Sequence, residues 1–189
     1  MNKAFVKDDD TYEDPEIQLD PRDGIPEGSR NYMTPQGAHR LREELDRLVR
    51  DERPRLLAAV NETDPDSAAF RECHKAVQRL EARIAFLTGR LALTEVIDPL
   101  GQKSAEVRFG ATVTVQPEEG PEKVYRIVGI DEADIERGLI SWTSPLARAM
   151  LETRAGDVVK VRKPVGEEEL EIIEVCYREI GNVLLTVSK

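Results

Sequence analysis

Four cations recur at every fourth position in one stretch of this sequence: Arg71, Lys75, Arg79 and Arg83. On a helix that spacing gathers them into a single positive stripe. Such a stripe is either a solvated face, its repulsion relieved by neighbours such as Glu72, or a surface for phosphates. The distribution of charge says where nucleic acid could be met at all. Residues 1–30 carry nine acids and four bases and residues 94–189 eighteen and twelve, whereas residues 34–93 carry ten acids and eleven bases. With a net charge of -10 the whole chain is a poor ligand for duplex DNA, and no sequence-specific DNA binding is expected. Any contact with nucleic acid belongs to the middle segment; protein partners are expected elsewhere. Just ahead of the stripe lies a polar break, residues 61–67, holding two carboxylates, Asp64 and Asp66, on either side of Pro65. Acids so placed favour the first turn of the following helix through its dipole.

Other chemistry is missing. His39 and His74 stand alone, no Ser/His/Asp or Cys/His arrangement can be assembled, and there is no P-loop or Gly-rich dinucleotide fingerprint. Cys73 and Cys176 lie far apart without metal-ligand spacing, which predicts a reduced cytoplasmic protein with incidental thiols. No apolar run approaches the ~18 residues needed to span a bilayer, and the first residues run straight into Asp8, Asp9 and Asp10 without the apolar core of a secretory signal. The expectation is a binding protein, not an autonomous catalyst, with no cofactor of its own.

The elements that must position these residues fall into four stretches. Residues 1–31, acidic and rich in Pro and Gly, bury too little to offset ordering entropy and read as a disordered tail. Residues 32–98 open at Thr34-Pro35, an N-cap followed by proline at the first helical position. Ala38, Leu41, Leu45 and Leu48 then recur at helical spacing, and Leu56 and Val60 resume the run beyond Pro54, which should kink the helix. After the polar break, Phe70, Cys73, Val77, Leu80, Ile84, Leu87 and Leu91 keep a strict 3-4 alternation, a heptad seam. Two such helices predict an antiparallel coiled-coil hairpin, and the charged or small residues off the seam favour one that projects into solvent. Residues 99–177 change period. Residues 111–115 and 123–128 flank a turn at 118–121, residues 139–142, 158–161 and 170–175 are further strand candidates, and Ser144-Pro145 opens a short helix. The fold class is therefore α+β, a helical hairpin followed by a small antiparallel sheet domain with one helix. Residues 178–189 form an extension.

These residues resemble the GreA/GreB family of transcription elongation factors. The resemblance rests on Phe109-Gly110-Ala111-Thr112-Val113-Thr114-Val115, Tyr125-Arg126-Ile127-Val128-Gly129, Asp131-Glu132-Ala133-Asp134, Ile140-Ser141, Ser144-Pro145-Leu146-Ala147-Arg148-Ala149 and Gly156-Asp157-Val158-Val159. Upstream, Tyr32-Met33-Thr34-Pro35-Gln36-Gly37, Leu41-Arg42-Glu43-Glu44-Leu45 and Glu52-Arg53-Pro54 fit as well, the last on the GreB side. The resemblance implies an FKBP-like second domain that grips the rim of the secondary channel of bacterial RNA polymerase while the hairpin enters that channel. Tip carboxylates then help to hold a second Mg²⁺ at the polymerase's own active site, where it activates a water that cuts backtracked RNA. On this chain the roles fall to Asp64 and Asp66 as tip carboxylates and shared Mg²⁺ ligands. The stripe Arg71, Lys75, Arg79 and Arg83 would lie near the RNA 3′ segment, and Trp142, Thr143, Ser144 and Pro145 would form the polymerase-docking segment. Magnesium suits such a site because it is a hard ion that prefers oxygen ligands.

The chain departs from the family pattern at the tip. The pattern resembles Gly-Asp-x-x-Glu-Asn-Ala-x-Tyr, and here Phe70 stands at the Tyr, Ser67 at the Asn, Asp66 at the Glu and Thr63 at the Asp. The stretch between Pro54 and Thr63 is about five residues shorter than the pattern, or roughly 7 Å of helix. Two readings follow: Asp64 and Asp66 deliver the metal, or they cap the second helix and the protein occupies the channel without stimulating cleavage. An FKBP-like fold also raises prolyl isomerase activity, but the domain offers only Phe109, Tyr125, Trp142 and Tyr177 to line an aromatic pocket.

Overall fold

A computed structural model describes residues 19–163 and 166–177. Strand β1 (Asn31–Met33) leads into helix α1 (Pro35–Arg47). Thr34 caps α1 with its hydroxyl, which accepts the Gly37 N–H at 3.1 Å, and Pro35 sits where a missing donor costs nothing. The helix then widens into a π-turn over Leu48–Glu52 before α2 (Arg53–Glu62). The disturbance expected at Pro54 takes this form, with the Arg53 N–H reaching the Leu48 carbonyl. The extra residue also sets the phase of the seam. Regular spacing from Leu48 would turn Arg55 and Ala59 toward the partner helix, and the π-turn brings Leu56 and Val60 there instead.

Helix α3 (Ala68–Ala92) returns antiparallel to α1 and α2 and passes into β2 (Thr94–Val96), which pairs in parallel with β1. Leu48, Leu80 and Leu87 are buried between the arms, with Leu41, Leu45, Leu56, Ile84 and Phe86 packed on them. A fully buried leucine contributes roughly 2 kcal/mol. Toward the tip the seam residues Phe70, Cys73 and Val77 are only half-covered, and α2 buries none of its residues. Two helices alone cannot enclose a seam, so the tip half is held less tightly than the base. Ion pairs between the arms, Arg83–Glu44 and Arg53–Glu81, flank it.

The second part is a five-stranded sheet in the order β5-β4-β3-β7-β6, built from β3 (Thr112–Pro117), β4 (Lys123–Val128), β5 (Leu139–Ser141), β6 (Val158–Lys163) and β7 (Gly166–Cys176). Alternate residues Val113, Val115, Ile127, Val159, Val161, Leu170 and Ile172 point to one core, closed by Ala147 and Met150 of the short helix α4 (Pro145–Met150). The apolar positions of β7 change parity between Ile172 and Val175. A bulge resolves this: Thr114 pairs with Glu174 and Val115 with Ile172, leaving Ile173 as the extra, exposed residue.

Two expectations are corrected here. The sheet is mixed, not wholly antiparallel: β4 and β5 run parallel because residues 129–138 cross over through two 3₁₀ turns instead of closing a hairpin. The described part of the expected disordered tail, residues 19–30, is folded. Its turns are closed by backbone bonds such as Asp23 N–H to the Asp20 carbonyl (3.0 Å), and the segment is anchored by Arg90, whose guanidinium takes the carbonyls of Pro21 and Asp23. Composition alone misses this, since the segment supplies carbonyls to a cation rather than apolar surface to a core. Residues 1–18 and the 178–189 extension lie outside the described residues. Among the described residues no helix is long and apolar enough to cross a membrane.

Candidate functional site

The tip closes on its own hydrogen bonds. Thr63 ends α2, its hydroxyl donating to the Ala59 carbonyl at 2.6 Å. Asp64 Oδ1 accepts the Asp66 N–H at 3.1 Å, and the Asp64 carbonyl accepts both the Ser67 N–H (3.0 Å) and hydroxyl (2.6 Å). Ser67 Oγ in turn accepts the Phe70 N–H and caps α3. The capping role considered for the two aspartates therefore belongs to Ser67, and neither acid enters the first turn of α3. Asp64 and Asp66 are both exposed. Among the described residues no group of three or more His, Cys, Asp or Glu is placed to hold a metal. Magnesium needs an octahedron of oxygens, so two tip carboxylates act as ligands only where another molecule and water complete the set.

The positive stripe divides. Arg71 and Arg79 are exposed, while Lys75 is half-buried and has a partner within the protein. Arg83 departs from the expectation most. Its Nε and Nη2 donate to the two oxygens of Glu44 at 2.8 and 3.1 Å, a forked pair across the arms, and its guanidinium lies 5.3 Å from the Phe86 ring. Successive fourth residues advance by about 400° on a helix, so the stripe winds by roughly 40° per step and its last member meets α1.

At the segment expected to dock, Ser144 Oγ accepts the Ala147 N–H at 3.2 Å and caps α4, with Pro145 exposed behind it. Thr143 and Ser141 share a hydroxyl–hydroxyl bond of 2.8 Å. Trp142 belongs to the same expected segment. It is half-buried, its ring edge-on to Tyr32 at 5.4 Å, and Tyr32 in turn lies 6.0 Å from Phe109. The three rings join β1 at the hairpin's root to the sheet.

A dense polar network lies at this same joint, and the residue patterns gave it no role. Arg90, 2% exposed near the end of α3, donates from Nε to both oxygens of Asp131 (2.8 and 3.1 Å) while Nη1 holds the Pro21 and Asp23 carbonyls. Glu132, 4% exposed, accepts the N–H groups of Thr34 (2.9 Å) and Gly129 (3.0 Å) and the Thr34 hydroxyl. Gly37 makes room for it, since a Cβ there would fall 2.3 Å from the carboxylate. Both acids sit in the first 3₁₀ turn of the β4–β5 crossover. The sequence does show an acidic pair beside an apolar strand, but its partners on the prong, Arg90 and Thr34, are 41 and 98 positions away, out of reach of local pattern.

The structure thus defines a class: a projecting two-helix prong locked at its root to a small mixed-sheet base, with an acidic tip and no complete metal site of its own among the described residues. Residues 31–96 match the family described as "Transcription elongation factor, N-terminal", and residues 102–177 match "Transcription elongation factor, GreA/GreB, C-term". The chain belongs to the GreA/GreB transcription elongation factor family. It is 40% identical over 158 residues to the transcription elongation factor GreB of Neisseria meningitidis serogroup B, an alignment covering 80% of this chain and 97% of that one. It is 43% identical over 156 residues to the transcription elongation factor GreA of Alkalilimnicola ehrlichii, covering 79% and 99%. Among solved structures, a prokaryotic transcription elongation factor GreA/GreB from Nitrosomonas europaea aligns with 79% of this chain and 99% of its own at 23% identity and a TM-score of 0.37.

Proposed function

We propose that this protein is an accessory elongation factor of bacterial RNA polymerase, which it assists without being a catalyst itself. The base docks on the rim of the secondary channel through the segment around Ser144 and Pro145, with Thr143 beside it and Trp142 supporting it from within. The prong enters the channel, and Asp64 and Asp66 reach the polymerase active site, where they complete the oxygen shell of a second Mg²⁺ and promote cleavage of backtracked RNA. Arg71 and Arg79, the exposed members of the stripe, would meet the phosphates of the RNA 3′ segment. The observation that carries this reading is the placing of two exposed carboxylates at the far end of a narrow prong whose root is locked to a base. Membership of a transcription elongation factor family supports the elongation role.

One observation favours a second reading. Asp64 Oδ1 is engaged with the Asp66 N–H inside the tip turn, which lowers its value as a metal ligand. On that account the prong occupies the channel and regulates transcription without stimulating cleavage. The test is cleavage of RNA in stalled polymerase complexes across a Mg²⁺ titration, with wild-type protein, Asp64→Ala and Asp66→Ala. Stimulation lost in the variants and regained in part at high Mg²⁺ supports metal delivery. A protein that binds core polymerase but never stimulates cleavage selects the second reading. Failure to co-migrate with core polymerase overturns both.

A further inference from the structure

A cleft of about 330 Å³ opens where the prong meets the base, and one of its walls is a buried arginine whose Nε has no hydrogen-bond acceptor among the described residues. It is lined by Thr34, Pro35 and Gln36 at the start of α1, by residues 98–100 of the linker after β2, and by Arg126 of β4. Arg126 is 9% exposed. Its Nε is buried with no hydrogen-bond acceptor among the described residues. Glu132 and Cys176 act on it through space, the Glu132 carboxylate being taken up by Thr34 and Gly129. A guanidinium does not shed its proton to escape burial, and a buried donor left without an acceptor costs free energy that a hydrogen bond would offset. The N-terminus of α1, a helix of 13 residues, faces the same space and adds the positive end of its dipole.

We infer that this cleft is a binding site for the oxyanion group, phosphoryl or carboxylate, of a small ligand held between Arg126 and the first turn of α1. The rest of the cleft fits such a ligand. Pro35, Pro99 and Leu100 give it apolar walls, and its volume lies in the range of small-molecule sites. Asp98 is exposed on the rim, its Oδ1 accepting the Leu100 N–H at 2.9 Å. Solvent screens its repulsion of an anion at Arg126, and its charge favours ligands that carry a hydrogen-bond donor beside the oxyanion. A ligand here would touch the hairpin root, the linker and the sheet at once.

The experiment is a titration of the full-length protein with inorganic phosphate, and separately with acetate, at constant ionic strength in chloride, followed by the arginine Nε–Hε and backbone amide resonances. The expected result is a saturable millimolar shift of the Arg126 Nε–Hε and Gln36 amide signals with at least one of the two anions. Which anion responds distinguishes a phosphoryl ligand from a carboxylate. Arg126→Met should abolish the response. Leu100→Glu, at an exposed position that does not threaten the fold, should weaken it roughly tenfold by adding charge at the mouth. Shifts that fail to saturate with either anion, or saturable shifts that persist unchanged in Leu100→Glu and spare Arg126, overturn the inference.

Discussion

Glu132 concentrates three donors on one carboxylate in a nearly dry setting, so its charge and not merely its shape holds the root of α1. Glu132→Gln keeps the volume but sets an amide N–H₂ against those donors, and should cost about 2 kcal/mol in denaturant unfolding. A change within the error of the midpoint would refute this. Tyr177 makes a second test at the same scale. Its hydroxyl donates to the Glu106 carbonyl at 2.6 Å and accepts the Arg108 N–H at 3.1 Å, and burial pushes its phenol above the ordinary value. Because the folded value is raised, the stability it contributes is present below the unfolded value of about 10 and is lost as the pH climbs through the folded one. Tyrosinate absorbance should show a late-titrating phenol that is missing in Tyr177→Phe. The caps of α1 and α4, Thr34 and Ser144, were legible in the sequence because a cap is local chemistry. Glu132, Arg90 and the pairing of Arg83 with Glu44 were not, because each depends on a partner brought near only by the fold.

The elements divide along the same line. Periodicity gave both arms of the hairpin and all five sheet strands, since a helical or alternating pattern is written in a single segment. It missed the π-turn, although its trace is visible in the one-residue slip between Leu48 and Leu56. That slip yields a prediction. Pro54→Ala removes the local obstacle, yet relaxing the π-turn to regular helix would rotate Leu56 and Val60 by about 100° away from α3. The π-turn should therefore persist, with a change in stability of less than about 1 kcal/mol. Loss of nuclear Overhauser contacts between Leu56 and α3 in this variant would show that the proline, not the seam, dictates the turn. The parallel β4–β5 pairing was equally hidden, because nothing local distinguishes a ten-residue crossover from a long hairpin loop.

At the scale of the molecule, prong and base share a partly buried ion pair, a buried carboxylate and a set of three rings. They should unfold in one calorimetric transition. Arg90→Ala leaves Asp131 and two carbonyls without their donor and should cost about 3 kcal/mol, splitting the melt so that the prong is lost first. A single transition that shifts intact would mean that the aromatic contacts suffice. The tip is where the reading of the sequence was least complete: its two acids were visible, but which residue capped α3 depended on the conformation of five residues. The parallel pairing of β1 with β2 has a wider consequence. The chain departs for the prong and comes back from it on adjacent strands, which lie about 4.8 Å apart. Matched heptads removed from or spliced into both arms would leave that doorway undisturbed, so the reach of the protein can change in evolution or by grafting while its footing stays the same.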